Sequence, residues 1–165
     1  MRAQPLFHSY VVVYDTGFAP NSADGYCTLA CCKPDIRKSA EMGDWIVGTG
    51  SVKNYGKKKL VYAMKVTEKI TFDEYYKDNR FKDRIDNIYY KGRQLKNKYH
   101  GKRDIQRDLN GKYVLISEKF YYFGKDALDI PMELDWIRKE GPKHKSCFDE
   151  KQKQEFENWI TTKIF

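Results

Sequence analysis

The stretch from Pro34 to Ser51 constrains the fold of this chain more than any other. It reads as a short helix that stops near a glycine and feeds directly into a buried strand. Pro34 suits the first helical position, where its missing N–H costs nothing, and Asp35 is favourable beside the positive helix terminus. Ile36 and Ala40 lie four apart and give the helix one apolar face. Gly43 stands where a helix C-cap glycine belongs, and Trp45-Ile46-Val47 is an apolar, strand-like run. Gly48 and Gly50 flank Thr49 and allow another group to approach the backbone closely. A polar helix carrying Arg37, followed by a strand carrying Trp45, is a plausible wall for a binding pocket.

A chain of 165 residues is expected to be a single domain, residues 1–165, with enough length to bury a core. Its longest apolar runs, such as Val11-Val12-Val13, are too short to span a bilayer, and its first residues lack the apolar stretch of a secretory signal. The expectation is a cytoplasmic protein with no membrane partner. Its oligomeric state cannot be read from the sequence.

Positive charge is concentrated in one part of the chain. Residues 1–51 carry four Lys/Arg against five Asp/Glu, residues 52–112 eighteen against eight, and residues 113–165 nine against ten. The net charge of +8 therefore comes from the middle third. Such concentration favours a polyanion-binding surface over a general solubility device. Aromatic residues make up 15% of the chain. They fit a β-rich core, and they also fit stacking on bases between cations.

The four cysteines, Cys27, Cys31, Cys32 and Cys147, do not have the spacing of a zinc knuckle, and a chain with no secretion signal is not expected to carry a disulfide framework. Neither a metal nor a cofactor is expected. Of the adjacent Cys31 and Cys32, one side chain is expected in the core and the other toward a pocket.

In chain order, His8 to Tyr14 reads as a first strand. The loop from Asp15 to Gly25 is dense in turn formers, with Asp15 and Asn21 as its notable polar groups. Tyr26 to Cys32 reads as a short strand, Lys53 to Lys59 as a basic hairpin turn, and Leu60 to Lys69 as an alternating strand. Thr71 to Glu74 forms a capping box that opens a helix. From Arg80 to Asn110 the pattern is irregular and polar, a basic insert at about 80–110. Asp86, Asn87, His100, Asp104 and Asp108 are scattered through it. Lys112 to Phe123 reads as a strand apolar on both faces, Leu128 to Ile137 as a connector or short edge strand, and Gly141-Pro142 as a break. A closing amphipathic helix runs from Asp149 to Ile164, with Phe156, Trp159, Ile160 and Ile164 on one stripe. The sequence contains no phosphate-binding glycine loop, nucleophile elbow or metalloprotease helix motif.

Three strings carry a resemblance: Asp15 to Asn21, Cys27 to Arg37, and Gly43 to Gly48. Together with Asp86 to Tyr89 and Val114 to Gly124, they are similar to the second of the nucleotide modification associated domain families, over most of the chain. The resemblance implies a setting in prokaryotic or phage systems that modify DNA bases or respond to modified DNA. A shorter likeness, a polar helix followed by Gly43-Asp44 and an apolar strand, resembles the PUA-like barrels of the EVE and YTH type. Those barrels hold a flipped, modified base between aromatic rings. The implied fold is α+β: a small twisted barrel or a strongly curved mixed sheet with a few flanking helices.

Three functions follow as alternatives. The first is a DNA-associated module that recognises a modified, flipped base. Its pocket would draw on Tyr14, Asp15, Asn21, Cys32, Trp45, Thr49 and Asn87, with Lys33, Arg37, Lys57, Lys58, Arg93, Lys96 and Lys98 toward phosphates. The second is an enzyme on modified DNA, a base-excising glycosylase or nuclease, with Asp15, Asp86 and His100 as candidate catalytic groups. The third is a protein-interaction module with a basic face. Each pocket residue also has a plainer explanation: Trp45 as core, Arg37 as a helix-end cation, and Asp15 and Asn21 as turn caps.

Overall fold

The computed structural model describes residues 6–139, 144–146 and 148–163. In chain order its strands and helices are β1 (Phe7–Val12), β2 (Asn21–Ala23), β3 (Tyr26–Leu29), α1 (Pro34–Ser39), β4 (Trp45–Gly50), β5 (Lys59–Lys65), β6 (Glu68–Thr71) and α2 (Phe72–Lys77). They continue with β7 (Tyr89–Tyr90), β8 (Arg93–Gln94), α3 (Ile105–Asn110), β9 (Tyr113–Ser117), β10 (Lys119–Tyr122), β11 (Leu128–Asp129), β12 (His144–Lys145) and α4 (Glu150–Ile160). The fold is mixed α+β, with more sheet than helix. No helix among the described residues is long and apolar enough to cross a membrane.

The chain divides into two compact units, each discontinuous in sequence. One comprises Met1–Tyr14, Gly43–Lys65 and Lys119–Phe165, and the other Asp15–Met42 and Val66–Glu118. Each unit carries its own buried core.

The first unit is built on a mixed sheet ordered β10-β5-β4-β1-β12, with β11 also paired to β5. Strands β1 and β4 run parallel, from Phe7 opposite Trp45 to Val12 opposite Gly50. A parallel pair requires a long crossover, and residues 13–44 supply it. All six residues of β4 are buried. Its glycines are steric necessities: a Cβ on Gly48 would lie 2.5 Å from the Tyr62 ring, and one on Gly50 would lie 2.5 Å from the Gly56 carbonyl oxygen. The core joins Phe7, Trp45, Val47, Leu60 and Ala63 to Leu134, Ile137 and the α4 residues Phe156 and Ile160. A reciprocal capping box between Asp149 and Gln152 starts α4. Ile164, expected on its stripe, and the Gly141-Pro142 break lie outside the described residues.

The second unit holds an antiparallel sheet ordered β2-β3-β9-β6, with the hairpin β7-β8 beside it in sequence. Its core includes Phe18, Ala30, Cys31, Phe72, Tyr75, Phe81, Ile88, Tyr89, Val114 and Ile116. The Thr71–Glu74 capping box opens α2 as its sequence predicts.

Several expectations require correction. Neither sheet closes on itself among the described residues, so the structure contains open sheets and not a closed barrel. The expected strand from Leu60 to Lys69 is two strands, β5 and β6, in different sheets, and Lys112 to Phe123 likewise divides into β9 and β10. Continuous alternation hides such a switch, because each half fits its own sheet equally well. Helix α1 ends on Ala40, whose N–H reaches the Ile36 carbonyl, and Gly43 sits three residues further on with φ 92°. The basic insert is not a bare loop: it folds as the β7-β8 hairpin, a 3-10 turn at Lys102–Asp104 and helix α3. These elements are too short to leave a periodic signature.

The packing yields two predictions. Replacing Trp45 with Ala should cost about 3–5 kcal/mol of stability, as expected for a large aromatic in a core, measurable by denaturant unfolding. Gly111→Ala should cost about 1–3 kcal/mol, because its Cβ would overlap the buried Arg37 guanidinium. Gly101→Ala, with nothing within 4 Å of the new Cβ, should be tolerated, and equal melting of these two glycine variants would refute the steric account.

Candidate active site

Helix α1 begins with a backbone anomaly. Cys32 has φ 63° and Lys33 φ 39°, two consecutive non-glycine residues in the left-handed region. Such conformations cost on the order of 1–3 kcal/mol each and persist where the surroundings over-determine them. Here the determinants are explicit. The Cys32 N–H donates to Asp108 Oδ1 at 2.9 Å, and its carbonyl accepts from Arg37 Nε at 2.6 Å. Arg37 is fully buried and donates its remaining arms to the carbonyls of Asp108, at 2.7 Å, and Tyr113, at 3.1 Å. A phosphate role was expected for Arg37, but its guanidinium is committed to the backbone of the second unit.

This clamp presents the Cys32 side chain to His100. Cys32 Sγ lies 3.6 Å from His100 Nε2, and His100 Nδ1 lies 2.5 Å from Asp108 Oδ2. Burial increases along the line: Cys32 and His100 are half-buried and Asp108 is fully buried. That order is the one that a thiol nucleophile, a proton-transfer group and an orienting carboxylate would require. The segment delivering His100 is itself built, because Asn97 Oδ1 accepts the backbone N–H groups of both Tyr99 and His100. Phe18 packs against the His100 ring edge-on at 4.8 Å and stacks with Tyr99 at 4.7 Å.

Asp108 is saturated with donors. Beyond Cys32 and His100 it accepts the Tyr89 hydroxyl at 2.6 Å, and Gln94 in turn donates to that hydroxyl at 3.1 Å. Burial alone would raise its pKa, but the hydrogen bonds from His100, Tyr89 and the Cys32 N–H hold it below the ordinary carboxylate range. Burial likewise opposes charge on His100, yet the bonds to Asp108 and Cys32 outweigh it and lift the imidazole to about 9. At neutral pH His100 is therefore an imidazolium. Arg107 Nη2 lies 3.7 Å from Cys32 Sγ and 3.4 Å from His100 Nε2. With both groups cationic, the latter is not a hydrogen bond, and the two donors converge on sulfur. They are placed to hold negative charge there.

Cys31 points the other way, into the core. Its thiol reaches the Asp86 carbonyl at 3.9 Å, and burial pushes its pKa far up, which keeps it protonated. Among the described residues, Cys31, His100 and Asp108 form a grouping whose potential metal-donor atoms lie within 4.8 Å of one another. Two of its three members already bond each other at 2.5 Å, so a cation held by both would have to displace that bond.

The other residues singled out by sequence are dispersed. Asp86 is buried, accepting from the hydroxyls of Thr28 at 2.5 Å and Tyr75 at 2.6 Å. Burial lifts it to about 6 against those bonds and the Arg84 charge. Asn21 is buried and accepts from Arg84 at 2.8 Å. Asn87 donates to the Tyr75 and Phe81 carbonyls, and Asp15 accepts the Gly17 N–H in a turn. Trp45 and Thr49 are buried in β4, with the Trp45 indole donating to Glu157 at 2.9 Å, while Tyr14 is 76% exposed. The proposed base-pocket residues are thus split between the two units: Tyr14, Trp45 and Thr49 in one, and Asp15, Asn21, Cys32 and Asn87 in the other. Lys57 and Lys58 are exposed on the turn before β5, Arg93, Lys96 and Lys98 are exposed around His100, and Lys33 is half-buried beside Cys32. Sequence reading missed Asp108 as the partner of His100, Tyr89 and Gln94 as the groups that hold Asp108 in turn, and Arg107 as a neighbour of the Cys32 sulfur. No spacing marks them, although Asp108 stands eight residues after His100 within the same basic segment.

The raised His100 pKa has a definite sign in stability. It contributes fully below the unfolded value of about 6.5 and is lost as pH rises through about 9. In Asp108→Asn, the His100 ring protons followed by NMR should titrate close to the ordinary histidine range. An unchanged midpoint near 9 would show that Asp108 does not hold the charge.

No curated protein and no solved structure matches the chain. A family model described as nucleotide modification associated domain 2 matches residues 4–164, a span containing every group of the Cys32–His100–Asp108 line. The chain belongs to the nucleotide modification associated domain 2 family, and so to the proteins associated with nucleotide modification.

Proposed function

We propose that this protein is an enzyme of a DNA-modification system, engaging a modified base in DNA and acting on it through a nucleophilic thiol at Cys32. The observation that carries this reading is the line from a half-buried thiol, through an imidazolium at 3.6 Å, to a buried carboxylate at 2.5 Å. In it, Cys32 is the nucleophile, His100 moves protons, Asp108 orients His100, and Arg107 holds charge near sulfur. Cys32 and His100 belong to the sets named from sequence as pocket and catalytic candidates, whereas Asp86 and Asn21 are tied into an internal network.

DNA as the partner is supported by the charge around the site. Lys91, Arg93, Lys96, Lys98, Lys102 and Arg103 all flank His100 in sequence and are exposed. The segment that supplies the base and its orienting carboxylate is therefore also the most cationic in the chain. Phosphate contacts there would bring a base to the thiol, at the cost of a few kcal/mol for flipping it from a duplex.

The reading makes a paired prediction. A triple variant, Arg93→Glu, Lys96→Glu and Lys98→Glu, should weaken DNA binding at least about tenfold at low salt and flatten its salt dependence. Iodoacetamide labelling of Cys32 in the free variant should proceed at the wild-type rate. In the wild type, bound DNA should protect Cys32 from labelling. Unchanged DNA affinity in the triple variant, or DNA-bound protein whose Cys32 labels at the free rate, would overturn the assignment.

A further inference from the structure

A thiol with an acid beside it can react with a nucleotide by acyl transfer or by addition to a conjugated double bond. Acyl transfer places an oxyanion near the nucleophile, and the nucleophile's own backbone N–H is a donor such sites regularly use. Here that donor is taken: the Cys32 N–H points at Asp108 Oδ1, 2.9 Å away, and Arg37 holds the Cys32 carbonyl at 2.6 Å. The two peptides that flank the Cys32 Cα are each held, so this N–H is not directed at a substrate oxygen. What does face the sulfur is a pair of side-chain donors, His100 Nε2 at 3.6 Å and Arg107 Nη2 at 3.7 Å.

That arrangement suits addition, in which a proton must be delivered to the carbon next to the one attacked. Pyrimidines have such a bond, C5=C6, conjugated with the group at C4 and open to a soft sulfur nucleophile at C6. Purines have no counterpart of this bond, because their carbon–carbon double bond lies at the ring fusion and the other electrophilic carbons are joined to nitrogen. Aromatic surface also borders the imidazole, because Tyr99 is half-buried, precedes His100 and stacks on the buried Phe18. Flat rings gain from such neighbours whatever their sequence context.

We infer that the site takes a pyrimidine and that Cys32 adds reversibly to its C6, an inference that rests on the thiol reading proposed above. In the reacting form the proton given up by sulfur sits on His100 Nε2. Sulfur donates an electron pair to C6 and forms the S–C6 bond, while the C5=C6 π pair moves through C5 toward the C4 substituent. Arg107 is placed to hold the charge that develops. His100 Nε2–H then delivers its proton to C5. The net change is addition of S–H across C5=C6, with no oxidant, reductant or second substrate. Its reversal restores thiol and base, with the C5 hydrogen exchanged against solvent.

That exchange is the test. The full chain is incubated in heavy water with single-stranded and duplex oligonucleotides containing deoxycytidine and deoxyuridine, and deuterium at C5 is read by mass spectrometry of the digested nucleosides. The expected result is exchange that disappears in Cys32→Ala and slows roughly 100-fold in His100→Gln, the usual range for losing a proton-transfer group. Thermal melting confirms that each variant is folded. No exchange above the Cys32→Ala level in any of these strands overturns the pyrimidine assignment. Iodoacetamide labelling separates the two failures. If Cys32 labels faster than in unfolded protein and slows in His100→Gln, the thiol reading survives without pyrimidine addition. If its rate matches unfolded protein and ignores His100→Gln, both fall.

Discussion

Arg37 is the interaction on which the second unit's site depends. A fully buried guanidinium is tolerable only when its donors are satisfied, since leaving a buried charge uncompensated costs several kcal/mol. Arg37 meets that demand with three backbone carbonyls, those of Cys32, Asp108 and Tyr113. These carbonyls come from the approach to α1, from α3 and from β9, segments more than seventy residues apart in sequence at the extremes. Its planar fork fixes their separations in a way that a lysine could not. Phe72 lies against the guanidinium at 5.6 Å, and Gly111 leaves it the space it fills.

From that anchor the chemistry follows in steps. Holding the Cys32 carbonyl from one side and its N–H from the other keeps two successive residues in left-handed backbone. The conformation separates the two cysteines, sending Cys31 into the core and Cys32 toward His100 and Arg107. Asp108 serves both ends of the arrangement, fixing the Cys32 backbone through one oxygen and the imidazole through the other. Position and charge of the site are thereby coupled. The carboxylate that orients the residues also keeps His100 protonated, which makes it an acid near neutral pH.

The chain belongs to a family associated with nucleotide modification, and the placement of its basic segment gives that association physical content. The exposed lysines and arginines from Lys91 to Arg103 flank His100 in sequence. Cationic charge and two members of the Cys32–His100–Asp108 line therefore share one short stretch of backbone, folded as a hairpin, a turn and helix α3.

Much of this was legible in the residues themselves. Capping chemistry is local, so Thr71 with Glu74 announced α2, and Pro34 announced α1. Gly48 and Gly50, on either side of Thr49, announced the close packing along β4. Charge is additive along the sequence, so the cationic middle third could be counted without a structure. The contradictory fate of Cys31 and Cys32, one buried and one facing outward, was also expected from their adjacency. Partnership was not legible. His100 and Cys32 are 68 residues apart, and nothing local distinguishes Asp108 from Asp86, although one orients an imidazole and the other closes a buried hydroxyl network. Arg37 was a candidate for phosphate and Trp45 for a pocket ring, because a polar helix leading into a strand can form a pocket wall, yet both side chains are buried. The sequence by itself determined the capped helices, the buried strand β4, the cationic segment and the family. Tertiary structure decided which residues meet, because burial, hydrogen-bond direction and the pKa of His100 all depend on neighbours that the order of the chain does not reveal.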